Sequence, residues 1–208
     1  MRTAYVNGEF IAEQDAKVSI FDRAFLFADG VYEVTSVLNG KLVDFDNHIK
    51  RLKRSMKELD FGPTINEEEF LTFHRKLVEL NEIKEGIVYL QVSRGVAERD
   101  FAFPDSKTAL TITAFTQKKD LIDNPSVHNG ISIITIDDLR WKRCDIKTIQ
   151  LLYPSMAKTE AMKQGADDAW MVQNGYVMEG SSNNAWIIKG QNIYTREADN
   201  LILKGITR

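Results

Sequence analysis

Apolar and polar residues alternate along the first part of the chain, and glycine-containing turns interrupt the alternation. Residues 4–11 predict a short hairpin, with Asn7-Gly8 in the position of a type I′ turn. A brief apolar segment at 18–21 leads to Asp22-Arg23 and the run Phe25-Leu26-Phe27-Ala28-Asp29-Gly30. Residues 31–38 are rich in β-branched and aromatic side chains and predict a strand, which Asn39-Gly40 turns into 41–45. The apolar spacing then lengthens to three and four. Ile49, Leu52, Met56 and Leu59 form the buried face of a helix that Asp46 or Asn47 can cap, and Arg51 falls at the edge of that stripe. A second helix is signalled by Asn66 with Glu69 three residues later, and its apolar positions are Phe70, Phe73, Leu77 and Leu80. Residues 87–92 and 109–115 predict paired strands around a loop at 93–107.

These elements predict a small α+β domain over residues 1–120. Asn124-Pro125-Ser126 marks 121–129 as a linker, and the pattern changes beyond it. Residues 131–136 predict a strand, and 154–164 a helix with proline in its first turn and Gly165 just past its end. Two hairpins follow, one turning at Asn174-Gly175 and one at Gly190-Gln191-Asn192. Residues 130–208 thus start a second domain. Gly205-Ile206-Thr207-Arg208 reads as a loop about to open a helix. A helix nucleus needs turns behind it, so the sequence reads as part of a longer chain.

Composition narrows the classes. At 208 residues and 43% hydrophobic, the chain can bury the core of one large or two small domains. A net charge of -3 gives no basic field for nucleic acid. The single cysteine, Cys144, points to a reducing, cytoplasmic setting. No stretch reads as a signal peptide, and no apolar run is long enough to cross a bilayer as a helix. The scattered histidines His48, His74 and His128 lack metal-ligand spacing, so no metal site is expected. Nucleotide-loop and nucleophile-elbow motifs are missing.

Four features remain. Lys147 lies between Ile146 and Ile149, and branched apolar neighbours favour the neutral amine that carbonyl chemistry requires. Glu179 precedes Gly180-Ser181-Ser182, Arg51 sits on the first long helix, and Gly205-Ile206-Thr207 offers peptide donors. Each alone has a plain structural reading: a snorkelling lysine, a solvated strand end, a surface arginine. Together they match what pyridoxal phosphate demands, an amine for its aldehyde, a carboxylate for its ring nitrogen and donors for its phosphate.

The motifs that carry these residues resemble those of the fold-type IV pyridoxal-phosphate enzymes, the class of branched-chain and D-amino-acid aminotransferases and aminodeoxychorismate lyase. They are Asp22-Arg23 with residues 27–33, His48-Ile49-Lys50-Arg51-Leu52, Asp145-Ile146-Lys147, Glu179-Gly180-Ser181-Ser182 and residues 203–208. The resemblance implies a mixed α/β chain of two domains, the second the larger, cofactor-binding one and cut short at Arg208. It implies Lys147 as Schiff-base lysine and proton shuttle, and Glu179 as partner of the ring nitrogen. Arg51 and the amides of Ile206 and Thr207 would hold the phosphate, and Leu203 would pack on the ring.

Within the class, residues 91–104 are most similar to D-amino-acid aminotransferases. This implies a homodimer in which Arg99 reaches from the partner subunit to clamp the substrate carboxylate, assisted by Tyr32. The implied reaction moves an amino group from a D-amino acid to a 2-oxo acid through pyridoxamine phosphate. Two positions depart from the family pattern: Phe101 stands where histidine is found in the best-known members, and Asn183 where serine or arginine is usual. The alternatives are the lyase, a branched-chain or amine transaminase, and, from another class, a non-catalytic scaffold. The joint presence of Lys147, Glu179 and Arg51 weighs against the scaffold.

Overall fold

The computed structural model describes residues 1–208, which form two compact units. The first comprises Met1–Ile122 together with Lys147–Ile149. Its strands are β1 (Thr3–Val6), β2 (Glu9–Ala12), β3 (Gly30–Leu38), β4 (Lys41–Leu42), β5 (Glu85–Ser93) and β6 (Thr111–Lys118). Its helices are α1 (Arg23–Phe27), α2 (Phe45–Glu58) and α3 (Glu67–Leu80). The strands make one antiparallel sheet in the order β2-β1-β6-β5-β3-β4. Asn7 and Gly8 take φ of 48° and 101°, the left-handed pair that the tight β1–β2 turn requires.

Alternation along β3 sends Val31, Glu33, Thr35 and Val37 inward, opposite Val92, Leu90, Val88 and Gly86 of β5. The apolar side chains of that face meet Ile49, Leu52 and Met56 of α2, and Phe70, Phe73 and Leu77 of α3, all buried. Tyr5 of β1 stacks on Phe73 at 4.1 Å between centroids. Burial of each large side chain contributes roughly 1.5–3 kcal/mol, so this layer dominates the unit's stability.

Several sequence expectations need correction here. The strand expected over 41–45 is only Lys41–Leu42, because α2 starts at Phe45. Neither Asp46 nor Asn47 caps that helix; Asp44 does so from a left-handed conformation without a side-chain bond, and Asp46 lies in the first turn. The physical reason is Phe45, which is buried and packs edge-on against His74. Leu59 is the C-cap and only half-buried, and Leu80 is exposed, with His74 and Val78 completing the inner face of α3. Asn66 caps α3 as expected, its side chain accepting from the amides of Glu68 and Glu69.

The second unit comprises Asp123–Ile146 and Gln150–Arg208. Residues expected as linker include the short helix α4 (Pro125–Asn129). Strand β7 (Ile133–Asp137), helix α5 (Leu152–Lys163) and strand β8 (Asp168–Gln173) form a crossover unit, with β7 and β8 parallel. Strand β9 (Tyr176–Gly180) returns antiparallel to β8. Ala157 and Ala161 of α5 bring the helix close to Ala169 of β8, with Ile134 and Ile136 packed alongside. β10 (Trp186–Lys189) and β11 (Asn192–Thr195) form a separate hairpin. The strand expected over 131–136 starts two residues later, and α5 starts at Leu152, leaving Pro154 in the first turn where its missing N–H costs nothing. No helix is long and apolar enough to cross a membrane.

Candidate active site

In the first unit, Lys147–Ile149 runs antiparallel to the start of β3, on the edge β5 leaves open. The Tyr32 amide donates to the Lys147 carbonyl at 3.0 Å, and the Ile149 amide to the Gly30 carbonyl at 3.1 Å. Val31 pairs with Thr148 between them. Gly30 permits this approach: a Cβ there would lie 2.9 Å from Ile149 Cδ1 and 3.1 Å from the Val92 carbonyl oxygen. The Lys147 amide also donates to Ser55 Oγ of α2 at 3.3 Å. Thus backbone bonds on both sides fix the lysine's Cα. Its side chain runs over an aromatic ring: Nζ lies 4.0 Å from the centroid of the Tyr32 ring. An ammonium is attracted to that negative ring face.

One turn of α2 carries His48 and Arg51, three residues apart and therefore on one face. Both reach Glu33 of β3, which is only 1% exposed. Arg51 donates Nε to Glu33 Oε1 at 2.8 Å and Nη2 to Oε2 at 2.7 Å, and His48 Nδ1 lies 2.7 Å from Oε2. The arginine expected at a helix edge is therefore a nearly buried fork held in one orientation. Burial pushes the Glu33 carboxyl upward, but the bonds and charges of Arg51 and His48 outweigh it and hold the group below the ordinary carboxylate range. Its contribution to stability is thus present above about pH 4.5, the ordinary glutamate value, and lost as pH falls through the lower folded value. Glu33→Gln is expected to destabilise the protein by about 3–5 kcal/mol at pH 7, since it strips the anion from a buried guanidinium. Equilibrium urea unfolding measures this, and an unchanged midpoint would exclude a structural ion pair.

Tyr32 also stacks on Tyr89, and Tyr89 on Phe115, along one face of the sheet. Burial, with the Tyr32 phenol nearby, pushes the Tyr89 hydroxyl up to about 12, so it stays neutral. Arg99 lies in the loop after β5, exposed, its guanidinium 5.5 Å from the Phe27 ring and 5.6 Å from the Phe101 ring.

In the second unit, Glu179 ends β9 and is 5% exposed. Three donors hold it: Arg140 Nη1 at 2.5 Å from Oε1, Asn184 Nδ2 at 3.0 Å from Oε2, and the Leu203 amide at 3.2–3.3 Å from both oxygens. Arg140 is itself gripped by Asp138, through Nε at 2.9 Å and Nη2 at 2.7 Å. Burial pushes the Glu179 carboxyl above the ordinary range, and Arg140 opposes the rise without cancelling it. Asn184 does more than hold the carboxylate. Its Nδ2 also donates to the Leu203 carbonyl at 2.8 Å, and its Oδ1 accepts from the Gly205 amide at 3.1 Å. One amide side chain therefore links Glu179 to the segment leading into Ile206 and Thr207. Burial raises the nearby Cys144 thiol to about 11, which leaves it protonated and inert.

Within the first unit, then, the structure brings Tyr32 and Lys147 together and places Arg51 against Glu33. Within the second it brings Glu179 and Leu203 together. The sequence gives no role to Glu33, Arg140, Asp138 or Asn184, although Glu33 lies within the family motif at 27–33. An acid in phase with Val31, Thr35 and Val37 is the signal for Glu33. Arg140 and Asp138 give none. The departure at Asn183 has a local account: Asn183 and Ser181 both donate to the buried Asp168, at 2.9 and 2.6 Å.

Comparison with known proteins places the fold first. The chain has the fold of the fold-type IV aminotransferases. The branched-chain amino acid aminotransferase of Escherichia coli matches it with a TM-score of 0.86 and 18% identity, over 99% of this chain and 71% of that one. The branched-chain aminotransferase of the thermophilic archaeon Thermoproteus uzoniensis, solved with norvaline, gives 0.81 and 21% over 99% of this chain and 71% of its own. The sequence matches the family described as Amino-transferase class IV over residues 30–208, and the chain belongs to that family. A D-alanine aminotransferase of Staphylococcus aureus is 42% identical over 210 residues, covering 100% of this chain and 73% of that protein. The chain is accordingly a pyridoxal-phosphate-dependent aminotransferase.

Proposed function

We propose that this chain moves an amino group between a D-amino acid and a 2-oxo acid, with D-alanine as a donor. The observation that carries the choice of D-amino acid is the whole-chain identity to a D-alanine aminotransferase.

The donor set fits the cofactor. An ionised carboxylate has about four acceptor positions, and of the three donors that reach Glu179 the Leu203 amide is shared between both oxygens at 3.2–3.3 Å, so the carboxylate can still accept from a ring N–H. Glu179 is also buried enough that a cation at this position is not screened by water. When bound, pyridoxal phosphate supplies an electron sink for the carbanion formed at the substrate Cα. The chain's own residues do the rest. Lys147 would hold the cofactor through Nζ, and its free amine would act as the base that takes the proton from the substrate Cα. Glu179 would keep the ring nitrogen protonated. Arg51, oriented by Glu33, would offer the phosphate a guanidinium donor, the amides of Ile206 and Thr207 would offer peptide donors, and Leu203 would pack against the ring. Arg99 and Tyr32 receive the substrate carboxylate, with Arg99 serving the other subunit's site in a homodimer. A cytoplasmic setting is the reading of a chain with one cysteine.

An enantiomer-resolved assay tests the proposal. With 2-oxoglutarate as acceptor, D-alanine is expected to be used at least ~100-fold more efficiently than L-alanine or L-leucine. Equal or faster turnover of L-leucine would reassign the chain to the branched-chain enzymes.

A further inference from the structure

Two buried arginines of the first unit converge on a single carboxylate oxygen. Asp29 Oδ2 accepts from Arg23 Nε at 2.7 Å and from Arg94 Nε at 2.8 Å. All three side chains are less than one-tenth exposed. Two cations against one anion is an expensive arrangement to desolvate, and packed apolar residues would stabilise the fold as well. What the arrangement provides is direction. Arg94 spends its other donors on the carbonyls of Asp60 and Leu59, at 2.9 and 2.6 Å, which anchors the base of the loop to the end of α2. Arg23 Nη1 donates instead to the carbonyls of Asp100 at 2.8 Å and Ala102 at 3.4 Å. The Phe103 ring lies 3.7 Å from the Arg94 guanidinium and 5.9 Å from that of Arg23.

The two carbonyls flank Phe101, and Asp100 directly follows Arg99. The loop is also tied near its start, through the amide of Arg23 on the Gly95 carbonyl, the amide of Ala97 on the Phe21 carbonyl and the amide of Arg94 on the Asp29 carbonyl. Phe101 packs edge-on against Phe27 at 5.6 Å between centroids, and within the loop the Ala102 amide donates to Asp100 Oδ1 at 3.0 Å, so Arg23 supplies the hydrogen bonds that reach residues 100–102 from outside the loop. Arg99 itself has no hydrogen bond or ion pair; its guanidinium rests only near the Phe27 and Phe101 rings. A cation displayed in this way has its full donor fork available for a carboxylate, and its position depends on the peptide that carries it. We propose that Arg23 is a positioning residue for Arg99: by holding the carbonyls on either side of Phe101, it fixes where the Arg99 guanidinium meets the carboxylate of the amino acid. This rests on the reading of Arg99 as the carboxylate clamp.

The test uses the cofactor-loaded full chain and the variant Arg23→Lys, which keeps a charge on Asp29 but lacks the second arm. KM for D-alanine is expected to rise about tenfold with kcat changed less than about twofold, the signature of lost uniform binding. In an Arg99→Ala background the same substitution is expected to add nothing, because Arg23 acts through Arg99. Trypsin cleavage after Arg99 is expected to quicken about tenfold in Arg23→Lys, a readout of loop freedom that needs no activity. Should the lysine variant not fold, Arg23→Gln leaves Arg94 and Asp29 as a one-to-one pair and serves in its place. An unchanged KM in the folded variant overturns the proposal, as does a further rise in KM in the Arg99→Ala background. If Arg99→Ala alone leaves KM unchanged, the clamp reading itself fails, whereas the cleavage rate still reports whether Arg23 holds the loop.

Discussion

Alanine in place of Lys147 is expected to reduce kcat for D-alanine by a factor on the order of 10⁴ or more, and to abolish the visible absorbance of the bound cofactor. The size follows from the two functions proposed for Lys147, covalent attachment and proton transfer, being lost together. Other consequences of the substitution are small. The backbone bonds of Lys147 to Tyr32 and Ser55 do not depend on its side chain, and the contact of Nζ with the Tyr32 ring contributes only about 0.5–2 kcal/mol. The variant should therefore fold with Lys147–Ile149 still paired to β3. Lys147→Arg is the sharper control, because it keeps a cation near the ring but replaces an amine that can lose its proton with a group that does not. Both variants are expected to be equally inactive in a stopped assay with 2-oxoglutarate. Normal turnover in either one would remove Lys147 from the chemistry.

The placement of Lys147 shows what the sequence can and cannot convey. Its apolar neighbours mark it as unusual, and the family motifs assign it a role. Neither reveals that its segment pairs with the edge of β3, since that contact joins distant parts of the chain and depends on the absence of a side chain at Gly30. Local patterns fare well where one face of an element is buried. The alternation over 31–38 and the stripe Ile49, Leu52, Met56 are both present in the fold. They fare worse at element ends, where tertiary packing decides: burial of Phe45 moves the start of α2, and Leu80 is left outside the core. Buried charge is the least legible layer. Arg51 is recognisable but its fork partner Glu33 is not, because an acid in a strand reads as solvated until a cation is seen across from it. Glu179 stands out without Arg140 or Asn184 for the same reason, as its partners come from an irregular segment and a loop.

Glu179→Gln is expected to lower kcat by about 10²–10³-fold while costing the cofactor-free protein only about 1 kcal/mol. The two magnitudes separate because the carboxylate's charge is not what holds the second unit together. Burial raises the Glu179 carboxyl above its ordinary value. By linkage, its contribution to stability is full below about pH 4.5 and declines as pH rises through the raised folded value, the reverse of Glu33. At neutral pH the protein thus carries the anion at a disadvantage. Glutamine keeps an acceptor for Arg140 or the Leu203 amide, and Arg140 stays compensated by its two bonds to Asp138. Arg140 therefore keeps a buried anion beside it. What glutamine cannot do is keep a pyridine nitrogen protonated, since a neutral amide offers no charge to stabilise the ring cation. Steady-state kinetics and urea unfolding of the cofactor-free protein measure the two effects separately. Wild-type kcat in Glu179→Gln would show that the buried anion is structural after all, and the ring-nitrogen assignment would go with it.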